Sequence, residues 1–161
     1  MTTDPQTLAW LDQEDAHLAQ TIRTHRWAVQ YVAGGDDSTE PPFGYTVGLF
    51  GMGHPELVVV GLGYGLAGEM LNTVGAMVRD GDQLVPGQVL EDDGGTPVIT
   101  VEELPNPGDV LFAANRFYGR PDEFSVPAFQ LIWALDGGIF PWDDGYPHEP
   151  DCQPLPGTWR A

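Results

Sequence analysis

The sequence predicts an α+β fold, in which a single domain contains a largely antiparallel sheet of about six strands and three helices. Short runs rich in β-branched and aromatic residues recur along the chain, which is typical of strands. Glycine-rich or acidic turns join neighbouring runs, as in hairpins, and only three segments have the apolar spacing of a helix. Short neighbouring strands with so few helices favour α+β over a repeated βαβ architecture.

The first part of the chain contains one predicted helix and three predicted strands. Thr3 and Gln6 have the spacing of a capping box, and the helix that they begin should end near His25. Residues 27–33 are a predicted strand, and residues 34–42 are a predicted acidic, exposed loop. Two further strands are predicted at 43–50 and 57–62.

The second part of the chain alternates helices with further strands. The second helix should present the apolar stripe Leu66, Met70, Val74, Met77 and Val78, with Gly81 capping its end. Residues 83–91 and 98–104 are predicted strands, joined by a turn at 92–95. A short helix at about 109–118 and a last long strand at 128–135 follow, and the proline-rich remainder is a predicted extended tail.

The length and composition indicate one globular domain. We assign it to residues 15–157, with residues 1–14 as an N-terminal helical extension and 158–161 as a C-terminal tail. Hydrophobic residues make up 42% of the sequence, enough for a sizeable core.

There is no apolar stretch near the ~20 residues that span a bilayer, and the N-terminus lacks the features of a secretory signal. A single cysteine, Cys152, fits a reducing compartment, so we expect a soluble cytoplasmic protein.

The net charge limits the partners that the protein can have. There are 24 acidic and 6 basic residues, giving a formal net charge of −18. Such a charge repels phosphate backbones, so we expect no direct binding of nucleic acid. The acidic surface is compatible with a basic protein partner, but many acids fall in turns, where any solvated loop would carry them.

A histidine and a glutamate in the connection between two predicted strands are the first candidate site residues. His54 and Glu56 lie two positions apart, so in an extended segment they share a face and could act as an acid/base pair or as metal ligands. Alternatively, His54 holds a tight connection together and Glu56 accepts hydrogen bonds from nearby backbone amides. We favour this structural interpretation, and no histidine or cysteine pair has a zinc spacing, so no metal site is predicted.

Two further groups of residues complete the candidate ligand site. Tyr45 and Thr46 lie on a predicted strand, where one hydroxyl could reach a ligand, although both residues are also ordinary strand formers. Trp142, Asp143 and Tyr146 lie on an irregular segment after the last hairpin, where aromatic rings beside a carboxylate suit a small organic ligand. The alternative is that Trp142 closes one end of the core. We expect the 45–56 hairpin and the 142–146 segment to form a shared pocket.

Several sequence blocks, taken in order, resemble a known family. They include PPFGYTVGL at 41–49, GHPEL at 53–57, FYG at 117–119, FQL at 129–131, FPWDDGY at 140–146 and QPL at 153–155. Together they resemble the bacterial family called domain of unknown function 4262, over residues 15–157. The resemblance implies no particular activity. The family usually has glycine where this chain has Arg26, so we expect the end of the first helix to be shaped differently here.

The order of predicted elements is also similar to that of flavin-reductase-like split barrels. That resemblance implies a flavin-dependent oxidoreductase, in which Gly44, Tyr45 and Thr46 would lie near the phosphate of FMN. Few arginines are placed to bind such a phosphate. We therefore expect a small-ligand-binding or accessory module, with a flavin-dependent oxidoreductase and an acidic protein-interaction module as alternatives. The sequence assigns no catalytic residue.

Overall fold

The computed structural model describes residues 4–36 and 40–161 of the protein. The helices are α1 (Pro5–His25), α2 (Tyr64–Arg79) and α3 (Phe112–Phe117). The strands are β1 (Ala28–Val32), β2 (Phe43–Val47), β3 (Glu56–Val60), β4 (Val89–Glu91), β5 (Pro97–Glu103) and β6 (Ala128–Trp133). These elements confirm the predicted α+β class. Within the described residues, no helix combines the length and the apolar character that crossing a bilayer requires.

All six strands belong to one open sheet with the order β1-β2-β3-β6-β5-β4. Four neighbouring pairs are antiparallel, and the central pair, β3 and β6, is parallel, with Glu56 opposite Ala128. Strands β3 and β6 therefore begin at the same end of the sheet and finish at the other. An open sheet with β1 and β4 at its edges differs from a closed barrel.

Helices cover both faces of the sheet, which explains why its central strands are apolar on both sides. On one face, α1 packs over β1 and α3 over β2, and these helices and the C-terminal segment enclose a core that includes Tyr45, Val58 and Trp159. On the other face, α2 packs over the same strands, with Leu57, Leu71 and other aliphatic side chains. Every residue of β2 and β3 is buried, as expected for strands between two helical layers.

Helix α1 ends at His25, as the sequence predicts, but both of its caps differ from the sequence expectation. Asp4 is its N-cap and accepts a hydrogen bond from the Thr7 backbone N–H, whereas Thr3 lies outside the described residues. The helix is continuous across the predicted domain boundary at residue 15. Its C-cap is Arg26, which adopts the left-handed conformation with φ of 78° and donates its N–H to the carbonyl of Ile22. The expected change of shape at Arg26 is therefore wrong, because arginine takes the conformation that glycine favours.

Two strands differ from their predicted extents by three residues or more, because glycine and proline interrupt them. Strand β2 ends at Val47, since Gly48 has a φ of +135° and redirects the chain into a 3₁₀ turn at Phe50–Met52. Strand β4 begins only at Val89, because the preceding Pro86 lacks an N–H and Gly87 forms a turn.

The C-terminal segment is part of the core and is not an extended tail. The Trp159 side chain is 7% exposed, and its indole N–H donates to the side-chain oxygen of Gln130 in β6. The Gln153 side chain is 1% exposed and bonds both the N–H and the carbonyl of Trp133, as a neighbouring strand would. The predicted domain boundary at residue 157 therefore omits a core residue, Trp159.

Replacing Arg26 by glycine should stabilise the protein. Glycine adopts φ of 78° without the clash that a Cβ causes, so Arg26→Gly should raise the free energy of unfolding in urea by about 0.5 kcal/mol. The matched control is Arg23→Gly, in the last turn of the same helix, which should lower it by about 1 kcal/mol. A loss of stability in both variants would show that Arg26 is not strained.

Candidate functional site

Glu56, the first residue of β3, has a carboxylate that is completely buried. Its Oε2 atom accepts hydrogen bonds from the backbone N–H of Gly48 at 2.9 Å and of Phe50 at 3.3 Å. Its Oε1 atom accepts from the Leu49 N–H at 3.1 Å and from the Thr46 hydroxyl at 2.8 Å. Three consecutive N–H groups form a nest that would suit an anion, and the side chain of Glu56 fills it.

Two opposing effects act on the pKa of Glu56. Burial raises this pKa and the hydrogen bonds from Gly48, Thr46, Phe50 and Leu49 lower it, and the net result is a rise from the ordinary 4.5 to about 7. All four partners are donors, so they stabilise the ionised form. Since the carboxylate is saturated with donors and has no contact with solvent, its contacts hold the end of the β2–β3 hairpin in place.

Tyr118, at the end of α3, covers the outer side of this turn. Its hydroxyl accepts a hydrogen bond from the Gly51 N–H at 3.2 Å, and its ring meets the edge of the Phe50 ring at 5.1 Å. Burial, followed by the negative charge of Glu56, raises the pKa of Tyr118 to about 12. Sequence reasoning did not select Tyr118, because nothing local shows that α3 ends against the hairpin.

Tyr45 and Thr46 both use their hydroxyls inside the protein. The Thr46 hydroxyl donates to Glu56 and also accepts from the Leu57 N–H at 2.9 Å. The Tyr45 hydroxyl accepts from the Ala113 N–H at 3.0 Å, and burial raises the pKa of Tyr45 to about 12. Because Tyr45 is 2% and Thr46 0% exposed, neither side chain lines an open surface.

His54 connects the hairpin turn to the segment that precedes β4. Its Nε2 atom accepts from the Leu84 N–H at 3.3 Å, so its Nδ1 atom carries the proton and donates to the Pro55 carbonyl at 2.7 Å. The ring also meets Phe129 edge-on at 5.7 Å. Both ring nitrogens have partners, in agreement with the structural interpretation of His54.

The three candidates on the 142–146 segment have separate surroundings. Trp142 stacks on Phe140 at 5.0 Å and is 50% exposed, so it covers a core side chain only partly. Asp143 accepts a hydrogen bond from the Phe140 N–H at 2.9 Å and thereby closes a turn. Tyr146 lines a cavity of ≈ 470 Å³ together with Trp159, and its buried hydroxyl has no partner among the described residues.

The 45–56 hairpin and the 142–146 segment lie at opposite ends of the sheet, contrary to the expected shared pocket. The connection before β3 lies where β3 and β6 begin, whereas the chain reaches the 142–146 segment after β6 has finished. There, Tyr146 shares a cavity with Pro41, which precedes β2 beside the far end of β3. A strand length, roughly 15–20 Å, separates the two ends.

A larger apolar groove, which we call the α2 groove, lies between α2 and the segment that follows β6. Its volume is ≈ 760 Å³. Its apolar walls include Leu66, Met70, Ile99, Trp133, Leu135 and Ile139. The charged residues that line it are Glu69 and Asp136, both exposed at its rim. Gly145 also lines the groove, so of the two predicted segments only 142–146 borders it.

The apolar stripe of α2 explains why sequence reasoning missed this groove. The residues that α2 buries are Ala67, Leu71, Val74, Gly75 and Val78. The predicted stripe instead included Leu66, which is 61% exposed, and Met70, and both line the groove. Helix α2 is therefore apolar over a wider arc than the sheet covers, and that width is the signal in the sequence.

Two further sequence features, a glycine pattern after β3 and the potential metal ligands, do not have the geometry of a binding site in the described residues. Gly63, Gly65 and Gly68 have the G-x-G-x-x-G spacing of a dinucleotide-binding turn, but a Cβ at Gly68 would meet no neighbouring atom, so the close helix–strand packing that the third glycine of that pattern serves is not present here. Helix α2 leads from β3 to the edge strand β4, and not to a neighbouring parallel strand. No cluster of three or more metal-ligating side chains occurs within residues 4–36 and 40–161.

Comparison with known families agrees with the sequence blocks noted above. The family described as Domain of unknown function (DUF4262) matches residues 21–147 of the 161. The chain belongs to this family. The range matched to DUF4262 includes all six strands, the Glu56 carboxylate and the whole lining of the α2 groove, but not Gln153 or Trp159. No curated protein and no solved structure matches the chain.

The titration of Glu56 should depart from that of an ordinary glutamate. Because burial raises its pKa to about 7, its carboxyl carbon should titrate with a midpoint near 7 in NMR of ¹³C-labelled protein. The folded state then binds the proton more tightly than the unfolded state. The part of the stability that comes from this tighter proton binding is therefore full below the ordinary pKa of 4.5 and is lost as the pH rises through 7, whereas the hydrogen bonds to the carboxylate remain. A midpoint below 4.5 would show that the four hydrogen bonds outweigh burial.

Proposed function

We propose that this DUF4262 chain is a small-ligand-binding module and that its ligand occupies the α2 groove. The observation that carries the proposal is the groove itself, whose volume of ≈ 760 Å³ is that of a site for a small organic molecule. Leu66, which is 61% exposed on its wall, would be covered by such a ligand. Burial of apolar surface would supply most of the affinity.

The two alternative functions have less support. For a flavin site, Gly44, Tyr45 and Thr46 would have to face the cofactor phosphate, but all three are buried in the middle of β2. For an acidic protein-interaction module, the support is the net charge of −18, which belongs to the whole chain and to no particular surface. A binding module with the α2 groove as its site therefore accounts for more of the structure.

Filling the α2 groove should weaken the binding of an apolar probe. Thr73 lines the groove from an exposed position on α2, so Thr73→Trp adds bulk there without disturbing the core. We expect the neutral dye N-phenyl-1-naphthylamine to bind the native protein saturably, with a fluorescence rise, and Thr73→Trp to weaken binding about tenfold.

Two control variants make this test specific. Thr73→Ser keeps the groove open, and Trp142→Ala changes an exposed aromatic side chain that does not line it, so both should bind the dye as the native protein does. Circular dichroism would confirm that every variant is folded. Unsaturable dye binding, or equal affinity in Thr73→Trp, would overturn the proposal.

A further inference from the structure

The charges around the α2 groove all have one sign. Its charged lining residues are Glu69 on α2 and Asp136 in the turn after β6. Both side chains are exposed, and neither has a hydrogen-bond or ion-pair partner within the described parts of the chain. By contrast, the ion-paired acids that the structure describes, Asp15 and Asp80, lie elsewhere, on Arg116 and Arg79. The groove thus combines apolar walls with two uncompensated negative charges.

These charges select among ligands of equal shape. Two carboxylates at the mouth of a low-dielectric groove attract a cation and repel an anion, and apolar walls strengthen both effects because they screen charge poorly. No arginine lines the groove, and the net charge of −18 adds a weaker long-range attraction of the same sign. The partly buried ring of Trp133 in the wall also favours a cation over a neutral group.

We propose that the ligand of the α2 groove is an organic cation with an apolar body, such as an aryl- or alkylamine. Its apolar part would lie against Leu66, Met70 and Trp133, and its ammonium group would lie at the rim that carries Glu69 and Asp136. The proposal rests on the proposed function, since it requires a ligand in this groove. The volume of ≈ 760 Å³ favours a small amine over a basic peptide.

Three compounds with the same body and different charges test this inference. Phenylpropylamine, phenylpropanol and phenylpropionate would each compete with N-phenyl-1-naphthylamine for the native protein. At low salt, we expect the amine to bind about fivefold more tightly than the alcohol, and the carboxylate to bind most weakly. Raising the salt concentration should reduce the difference between the amine and the alcohol, because ions screen exposed charges.

Two double variants that remove the same number of charges test which carboxylates cause the tighter binding of the amine. Glu69→Gln with Asp136→Asn should remove most of the amine's advantage over the alcohol, leaving only the smaller part that Trp133 and the net charge supply. The control, Glu14→Gln with Asp93→Asn, removes the same two charges from exposed positions outside the groove and should keep the preference. An undiminished preference for the amine in the first double variant would overturn the inference, since the rim carboxylates would then not be its main cause.

The outcomes separate this inference from the proposed function. If the amine and the alcohol bind native protein equally while both displace the dye, the cationic ligand class is wrong and the groove remains a binding site. If Thr73→Trp binds the dye as tightly as the native protein does, the proposed function is wrong, and the inference that rests on it is wrong as well. Tight binding of a basic peptide, with no binding of the small amine, would assign the groove to a protein partner and overturn the inference.

Discussion

The carboxylate of Glu56 accepts hydrogen bonds from three consecutive backbone N–H groups and one hydroxyl, and the end of the β2–β3 hairpin is built around it. The same turn lies against the chain between α1 and β1, where a Cβ at Gly48 would lie 2.5 Å from the carbonyl oxygen of Arg26. His54 and Tyr118 then join this turn to the segment before β4 and to α3. One buried charge thus fixes a point at which several elements meet.

The two ends of the sheet differ in how their polar side chains are paired. At the end that holds Glu56, polar side chains are paired with backbone groups and shielded from water, so this end supplies rigidity. At the other end, beyond β6, the chain leaves an apolar groove whose rim carboxylates, Glu69 and Asp136, have no partners among the described residues. Uncompensated polar groups beside exposed apolar surface are typical of a binding site, whereas saturated ones are typical of structure.

Local patterns predicted the elements of this fold well, and long-range pairing was the part that they could not predict. The existence of the six strands, the turn at 92–95 and the ends of α1 and α2 follow from spacing, glycine and proline, whereas α3 (Phe112–Phe117) is shorter than the predicted 109–118. The parallel pairing of β3 with β6 has no local signal, although it alone decides that residues 45–56 and 142–146 lie apart. The wide apolar arc of α2 was visible in the sequence, but only the sheet shows that Leu66 lies outside the core.

The most direct test of this account is the stability of Glu56→Gln at pH 8, where the native carboxylate is ionised. Glutamine has nearly the same shape, but its amide group places N–H donors opposite the backbone donors of the turn. The free energy of unfolding should therefore fall by about 2–4 kcal/mol. Glu103→Gln, at an exposed position on β5, should change it by less than about 0.5 kcal/mol. Equal stability of the two variants would contradict the central role of the Glu56 carboxylate.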